Sequence, residues 1–413
     1  MNIIEHYNQS FRSMIQELKH TLIILTLLLF PFITSAEVSE KKDGIKFGGV
    51  LRYNISSKNY ESNSDKTDPQ FSWGMWRLNM DGSISGIDLS FEYRFYPSYK
   101  AHFLRQGYFG YKFSDVVYTK VGVTQVPFGI LRSAGNNYFF QAPYYVGLED
   151  DYDMGIKFDI TPTDNIDISL AYFRQAEPNG SGPTYTSRYA YDIVPGMGAI
   201  VDTEGNFKMT DATLSELNQY NARVAWRFVP NWEVGLSGQL GGIYNKKLNK
   251  SETSYAYSTH LVGNFAGFNL KTEFVHYNYK AKDDKGNYLE VVQMGAYASD
   301  LPGGDGYTGG VATKANMYVV ALAYDIPVSW GPITNIKPYI DYSYVDKANK
   351  HFYDTQQFIP GFMVTAGPIY AYIDYAMGKN QPWLTEDFGK GLGSGVANAD
   401  WNSRFNVNFG FYF

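Results

Sequence analysis

The 413-residue chain has no cysteine, only six histidines and a charged fraction of 18%. The missing cysteine excludes disulfide frameworks, thiolate zinc sites and thiol catalysis. A zinc centre would have to rest on histidines and carboxylates, and His6 and His20 fall in the extreme N-terminal region. With a net charge of -6 there is no basic footprint for nucleic acid. A long hydrophobic run is lacking too: residues 22–33 make an apolar stretch of about a dozen, where a spanning helix needs roughly 20.

What the chain has instead is 36 Tyr, 28 Phe and 40 Gly, an aromatic fraction of 17%. That composition argues against disorder. Lys19 precedes the short apolar run and Thr34-Ser35-Ala36 follows it, so residues 1–36 read as a secretory signal peptide cleaved after Ala36. Met14 is an alternative start that would shorten the leading polar region. Cleavage removes Arg12 and Lys19 with Glu5 and Glu17, so the charge of -6 persists in a single domain, 37–413.

The pattern inside that domain has period two. Phe405, Val407, Phe409, Phe411 and Phe413 share one face of the last strand, opposite Arg404, Asn406, Asn408, Gly410 and Tyr412. Similar alternation recurs along the chain from 45–55 to 402–413, and we expect about sixteen antiparallel strands, or about 24 residues per strand with its connection. Tight connections such as 114–115, 230–231, 366–368 and Asp81-Gly82-Ser83 alternate with long ones at 56–70, 127–152, 175–217, 280–315, 346–358 and 378–401. The fold class expected is all-β, a transmembrane barrel. The alternating segment 288–298 is assigned to the sixth long loop, because an extra strand would break the even count.

A charge facing lipid at mid-membrane costs roughly 2 to 4 kcal/mol, so the apolar face of each strand must point outward and the polar face into the lumen. This phase places about twelve bases against about seven acids inside, although the whole protein is acidic. Arg52, Arg94 and Arg404 are among the inward bases; Arg77, Lys120, Lys157, Arg223 and Lys271 fall near mid-height and are the expected solute contacts. The long loop 127–152 carries Arg132, Tyr138, Phe139, Phe140, Tyr144, Tyr145, Glu149, Asp150 and Asp151. Its aromatics and acids opposite a basic wall would constrict the pore and set up a transverse field. Alternatively the aromatics anchor at the interface and the acids lie in solvent, or hold a divalent cation with lipopolysaccharide.

The stretch Val121-Gly122-Val123-Thr124-Gln125-Val126-Pro127-Phe128-Gly129, with 144–153 and Met154-Gly155-Ile156-Lys157-Phe158, resembles the phosphate-selective porin O and P family. The resemblance implies a sixteen-stranded, trimeric channel in a Gram-negative outer membrane, with a constriction loop between strands 5 and 6. Phosphate selection there leans on arginines and lysines around the constriction, whereas this stretch has Arg132 amid the four acids Glu149, Asp150, Asp151 and Asp153. The terminal Phe413 likewise resembles the C-terminal signal of outer-membrane barrels.

The expected function is therefore a passive porin for small hydrophilic solutes with a weak anion preference, phosphate included, without cofactor or metal. Its partners would be the lipid bilayer, lipopolysaccharide and two further copies of itself. A sugar-specific channel using the loop aromatics as a slide is the alternative, and a structural or adhesin barrel a third reading. An enzyme is not expected, because His102, His260, His276 and His351 are scattered without a serine or carboxylate grouping.

Overall fold

The computed structural model describes residues 43–60, 69–131, 133–180, 187–296, 299–300, 310–385 and 391–413. The proposed signal segment and Arg132 lie outside the described residues. The barrel strands are β1 (Gly44–Lys58), β2 (Gln70–Ile84), β3 (Ile87–Tyr96), β4 (Ala101–Lys112), β5 (Val117–Gln125), β6 (Tyr152–Thr163), β7 (Ile166–Ala176) and β8 (Leu214–Val229). They continue as β9 (Trp232–Asn245), β10 (Lys250–Phe265), β11 (Phe268–Asn278), β12 (Lys314–Tyr324, resuming as Ile326–Trp330), β13 (Ile333–Lys347), β14 (Thr355–Ala366), β15 (Ile369–Lys379) and β16 (Asn402–Tyr412). Both pieces of β12 pair with β13, so the 17 segments of the sheet amount to sixteen strands. Pro327, which lacks an N–H for the ladder, lies in the second piece.

Every strand pairs antiparallel with its neighbours in the chain. The last closes on the first, from Val50↔Tyr412 to Lys58↔Arg404. Closure leaves no edge, which is what a sheet in hydrocarbon requires, since an unpaired backbone group there has no water to turn to. Outside, Leu78, Val224, Leu236, Val320 and Phe405 stand exposed on the isolated chain and form an apolar surface suited to lipid. On β8 the phase is as the alternation predicts, with Asn221, Arg223 and Ala225 buried inside and Val224 and Trp226 exposed.

Two to four residues join the strands at one end of the barrel. The first turn is three to four residues later than the sequence suggests: Gly82 and Ser83 remain paired in the ladder, and Ser85 and Gly86 make the turn with φ of 53° and 78°. A two-residue hairpin of type I′ needs φ > 0 at both positions, and Gly86 meets that without a Cβ penalty.

At the other end the long segments fold over one another. Those after β7 and β11 share a small second sheet built from Asp192–Ile193, Gly196–Val201, Phe207–Ala212, Val291–Ala296, Ser299–Asp300 and Gly310–Ala312. Segment 288–298 thus contributes Val291–Ala296 to that sheet, and among its described residues none pairs with a barrel strand. Tyr144, Tyr189, Tyr191 and Tyr277 are nearly inaccessible, so the aromatic core of the protein lies at the mouth, inside the wall.

Candidate functional site

The segment between β5 and β6 is tied across the lumen, beginning at a neck where the Val126 N–H donates to Asp151 O at 2.9 Å. Gly129 donates to Ser237 Oγ on β9 at 2.9 Å, and its carbonyl accepts from Arg223 Nε on β8 at 2.8 Å. It has φ +58°, which favours glycine, and a Cβ there would fall 2.0 Å from Glu273 Oε1 and displace that carboxylate. Lys271 on β11 donates to the carbonyls of Ser133 and Gly135 at 2.9 and 2.8 Å.

Asp341 on β13 is the central anchor. Its carboxylate, fully buried, accepts from the backbone N–H groups of Asn136 and Asn137 at 2.5 and 2.9 Å, and from their side-chain amides at 2.9 and 2.7 Å. Further on, Ala142 N–H donates to Ser343 Oγ at 3.2 Å and Gln357 Nε2 on β14 to Phe140 O at 2.6 Å. The segment is therefore held against β8, β9, β11, β13 and β14.

These bonds place several residues that the sequence points to. Arg223 and Lys271 hold loop carbonyls, and Arg223 also contacts Glu233 at 3.0 Å. Lys157 donates to Gln125 O at 3.1 Å, and Lys120 pairs with Asp159 at 2.9 Å. Of the five mid-height bases only Arg77 stands on the wall opposite the anchored segment.

That wall carries one arginine on each of five consecutive strands: Arg404 on β16, Arg52 on β1, Arg77 on β2, Arg94 on β3 and Arg105 on β4. Glu92 is shared by three of them, at 2.6 Å from Arg94, 3.5 Å from Arg105 and 3.6 Å from Arg77. Asp150 takes Arg105 through both oxygens, at 2.7 and 2.9 Å. Arg52 and Arg404 have no carboxylate within 4.0 Å among the described residues, and the Nε of each has no acceptor. Arg52 lies over the ring of Tyr138 at 5.6 Å and Arg404 over that of Phe139 at 5.2 Å. Between wall and segment is a cavity of ≈ 300 Å³ lined by Arg52, Arg94, Arg404, Tyr138, Phe139 and Tyr189.

Arg105 escapes the period-two reading because a bulge interrupts the β3–β4 ladder. Glu92 pairs with Gln106 and Tyr93 with Leu104, so Arg105 is the extra residue and turns into the lumen with Gln106. The one sequence signal is that strict alternation would leave this guanidinium on the lipid side. Tyr189 was also missed: it comes from the segment after β7, its ring covers Arg94 and Arg105 at 4.4 and 4.8 Å, and its hydroxyl donates to Asp150 at 2.6 Å.

The three loop acids have separate roles. Asp150 faces Arg105; Asp151 is buried toward other acids; Glu149 is buried and accepts from Ala134 N–H at 2.8 Å and Ser133 Oγ at 3.2 Å. Burial, only partly offset by the Ala134 bond and reinforced by Glu273, pushes Glu149 up to about 8 from its ordinary 4.5. A raised carboxylate favours the fold most when protonated, so its contribution is complete below about 4.5 and is lost as pH rises toward about 8. We expect open-channel noise to increase from about pH 6 to about pH 9 as the segment loosens, and Glu149→Gln, which mimics the neutral acid, to flatten that dependence in single-channel recordings.

No protein-family model and no curated protein matches the sequence. Solved structures do match in fold. The outer membrane channel DcaP of Acinetobacter baumannii is 11% identical, with 91% of this chain and 99% of that one covered and a TM-score of 0.55. An anion-selective porin from Comamonas acidovorans is 12% identical over 90% and 100%, TM-score 0.56; Salmonella typhi OmpF, in complex with daunomycin, is 10% identical over 90% and 98%, TM-score 0.58. The fold is that of the outer-membrane porins. It is shared with several porin types and singles out none, so the narrower resemblance to phosphate-selective porins rests on the motif around 121–158 alone. At these identities the likeness is one of fold.

Proposed function

We propose that this barrel is a passive diffusion channel of a Gram-negative outer membrane with a preference for small anions. The observation that carries the reading is the five-strand arginine wall, in which Arg52 and Arg404 face the lumen without a carboxylate partner among the described residues. Fixed positive charge in a narrow low-dielectric passage raises the local concentration of anions and lowers that of cations. The segment 126–151 acts as the constriction in this reading, since it is fastened to β8, β9, β11, β13 and β14 and reaches across to Arg52, Arg404 and Arg105 through Tyr138, Phe139 and Asp150.

Export through a cleaved leader, contact of the outer belt with lipopolysaccharide and a homotrimeric state belong to the same proposal. Phosphate is one candidate solute among small inorganic and organic anions. The sugar-slide alternative is less favoured, because Phe140 and Tyr144 stack on each other at 4.0 Å and Tyr144 and Tyr145 are buried at the mouth. Purified protein in a planar bilayer should show discrete conductance steps and, in a KCl gradient, a zero-current potential of the anion-selective sign. Competition with phosphate, benzoate and a neutral sugar then ranks solutes. Cation selectivity would overturn the anion reading, and an absence of steps would favour a structural or adhesin barrel.

A further inference from the structure

The mouth of the barrel holds a second charged group that the permeation pathway does not use. Asp151 at the end of the anchored segment, Asp153 on β6 and Asp192 after β7 are all buried, and one oxygen of each lies within 4.8 Å of the others. Glu177 joins them from the same connection and Glu216 from β8, with Arg188 as the basic neighbour, 2.9 Å from Asp192 Oδ2.

In three of these acids one oxygen is satisfied and the other is not. Asp153 Oδ2 accepts from Gln219 Nε2 at 2.9 Å, and Glu177 Oε1 from the N–H groups of Tyr189 and Ala190 at 3.2 and 3.0 Å. Asp153 Oδ1, Asp192 Oδ1 and Glu177 Oε2 have no donor among the described residues, on side chains about 1% exposed. A neutral group shows the same condition. Thr124, directly opposite Asp153 across the β5–β6 ladder and also 1% exposed, leaves Oγ1 without a partner beside the acids.

Several buried carboxylates around one guanidinium cannot all stay ionised without a counter-charge, since each uncompensated ion costs several kcal/mol. Protons or a cation could meet the deficit. An all-oxygen donor set without His or Cys selects a hard ion, and because two ligands on opposite sides of one Ca²⁺ at about 2.4 Å lie about 4.8 Å apart, three oxygens all within 4.8 Å of one another can share a single ion.

We propose that Asp151, Asp153 and Asp192 form a Ca²⁺ site that clamps the connection after β7 to the barrel mouth. The clamp would fix Tyr189, whose ring covers Arg94 and Arg105, and so hold one side of the lumen in place. The site does not depend on the channel reading, because it concerns binding and not permeation.

The test is Tb³⁺ luminescence, sensitised by the nearby Tyr152 and Tyr189, on the full purified barrel in detergent after EDTA treatment. We expect one Tb³⁺ per chain, displaced by Ca²⁺ far better than by Mg²⁺, and an affinity that falls as pH is lowered because binding releases protons. Asp153→Asn and Asp192→Asn should each weaken binding at least tenfold, whereas Asp164→Asn in a tight turn should not. Ions carried by residual lipopolysaccharide would give luminescence that survives both substitutions, and that result overturns the site. Should the variants fail to fold, wild type alone decides. Millimolar Ca²⁺ should raise the midpoint of heat dissociation, and a midpoint that responds to acid but not to Ca²⁺ would mean a proton-sharing cluster only.

Discussion

Replacing Arg52 and Arg404 together by glutamate should reverse the sign of the zero-current potential in a salt gradient. These two guanidiniums line the cavity beside Tyr138 and Phe139 with no acid within 4.0 Å among the described residues, so on the channel reading no paired carboxylate offsets their charge. Arg77, Arg94 and Arg105, by contrast, share Glu92 and Asp150. At about 0.1 M salt the screening length is about 10 Å, so the double charge change should move the anion-to-cation permeability ratio by about tenfold or more. At about 1 M, where screening shortens to about 3 Å, most of the difference should vanish. The glutamine pair should bring the ratio close to that of a neutral pore. Lumen substitutions of this kind tune selectivity without reaching the lipid face. A double glutamate channel that kept the wild-type potential would end the arginine-wall account.

Removing the Asp341 anchor should act on conductance and leave selectivity nearly unchanged. Four hydrogen bonds converge on that carboxylate from Asn136 and Asn137. Bonds to a charged group contribute about 1.5 to 3 kcal/mol each, and Asp341→Ala would also leave the backbone donors of half-buried Asn136 and buried Asn137 unpaired. Asp341→Asn should do nearly as much harm, because its amide turns a donor toward donors. We expect larger and noisier single-channel steps for both variants, with the unboiled gel mobility of a closed barrel retained. Steps of wild-type size and noise would mean that the remaining tethers at Arg223, Lys271 and Gln357 suffice. Glutamine at Arg223 or Lys271 should resemble a mild form of the Asp341 variants, since those bases hold loop carbonyls.

By itself the sequence determined the wall. All sixteen strands, the side on which the long connections lie and the inward phase of Arg52, Arg94, Arg223 and Arg404 were legible in period-two alternation. The reason is that lipid is one uniform solvent acting on each strand separately, so every strand records its own constraint within about ten residues. Only the tertiary structure decided what occupies the lumen. Arg223 and Arg52 look alike in the sequence, yet one is spent on Gly129 O and the other lines the cavity over the ring of Tyr138, because a segment about a hundred residues from Arg223 in the chain enters the lumen between them. The bulge that turns Arg105 inward, the arrival of Tyr189 above it, and the meeting of Asp151, Asp153 and Asp192 are likewise contacts between distant segments. No local periodicity encodes them, because lumen side chains are selected for partners brought by the loops and not for a common solvent.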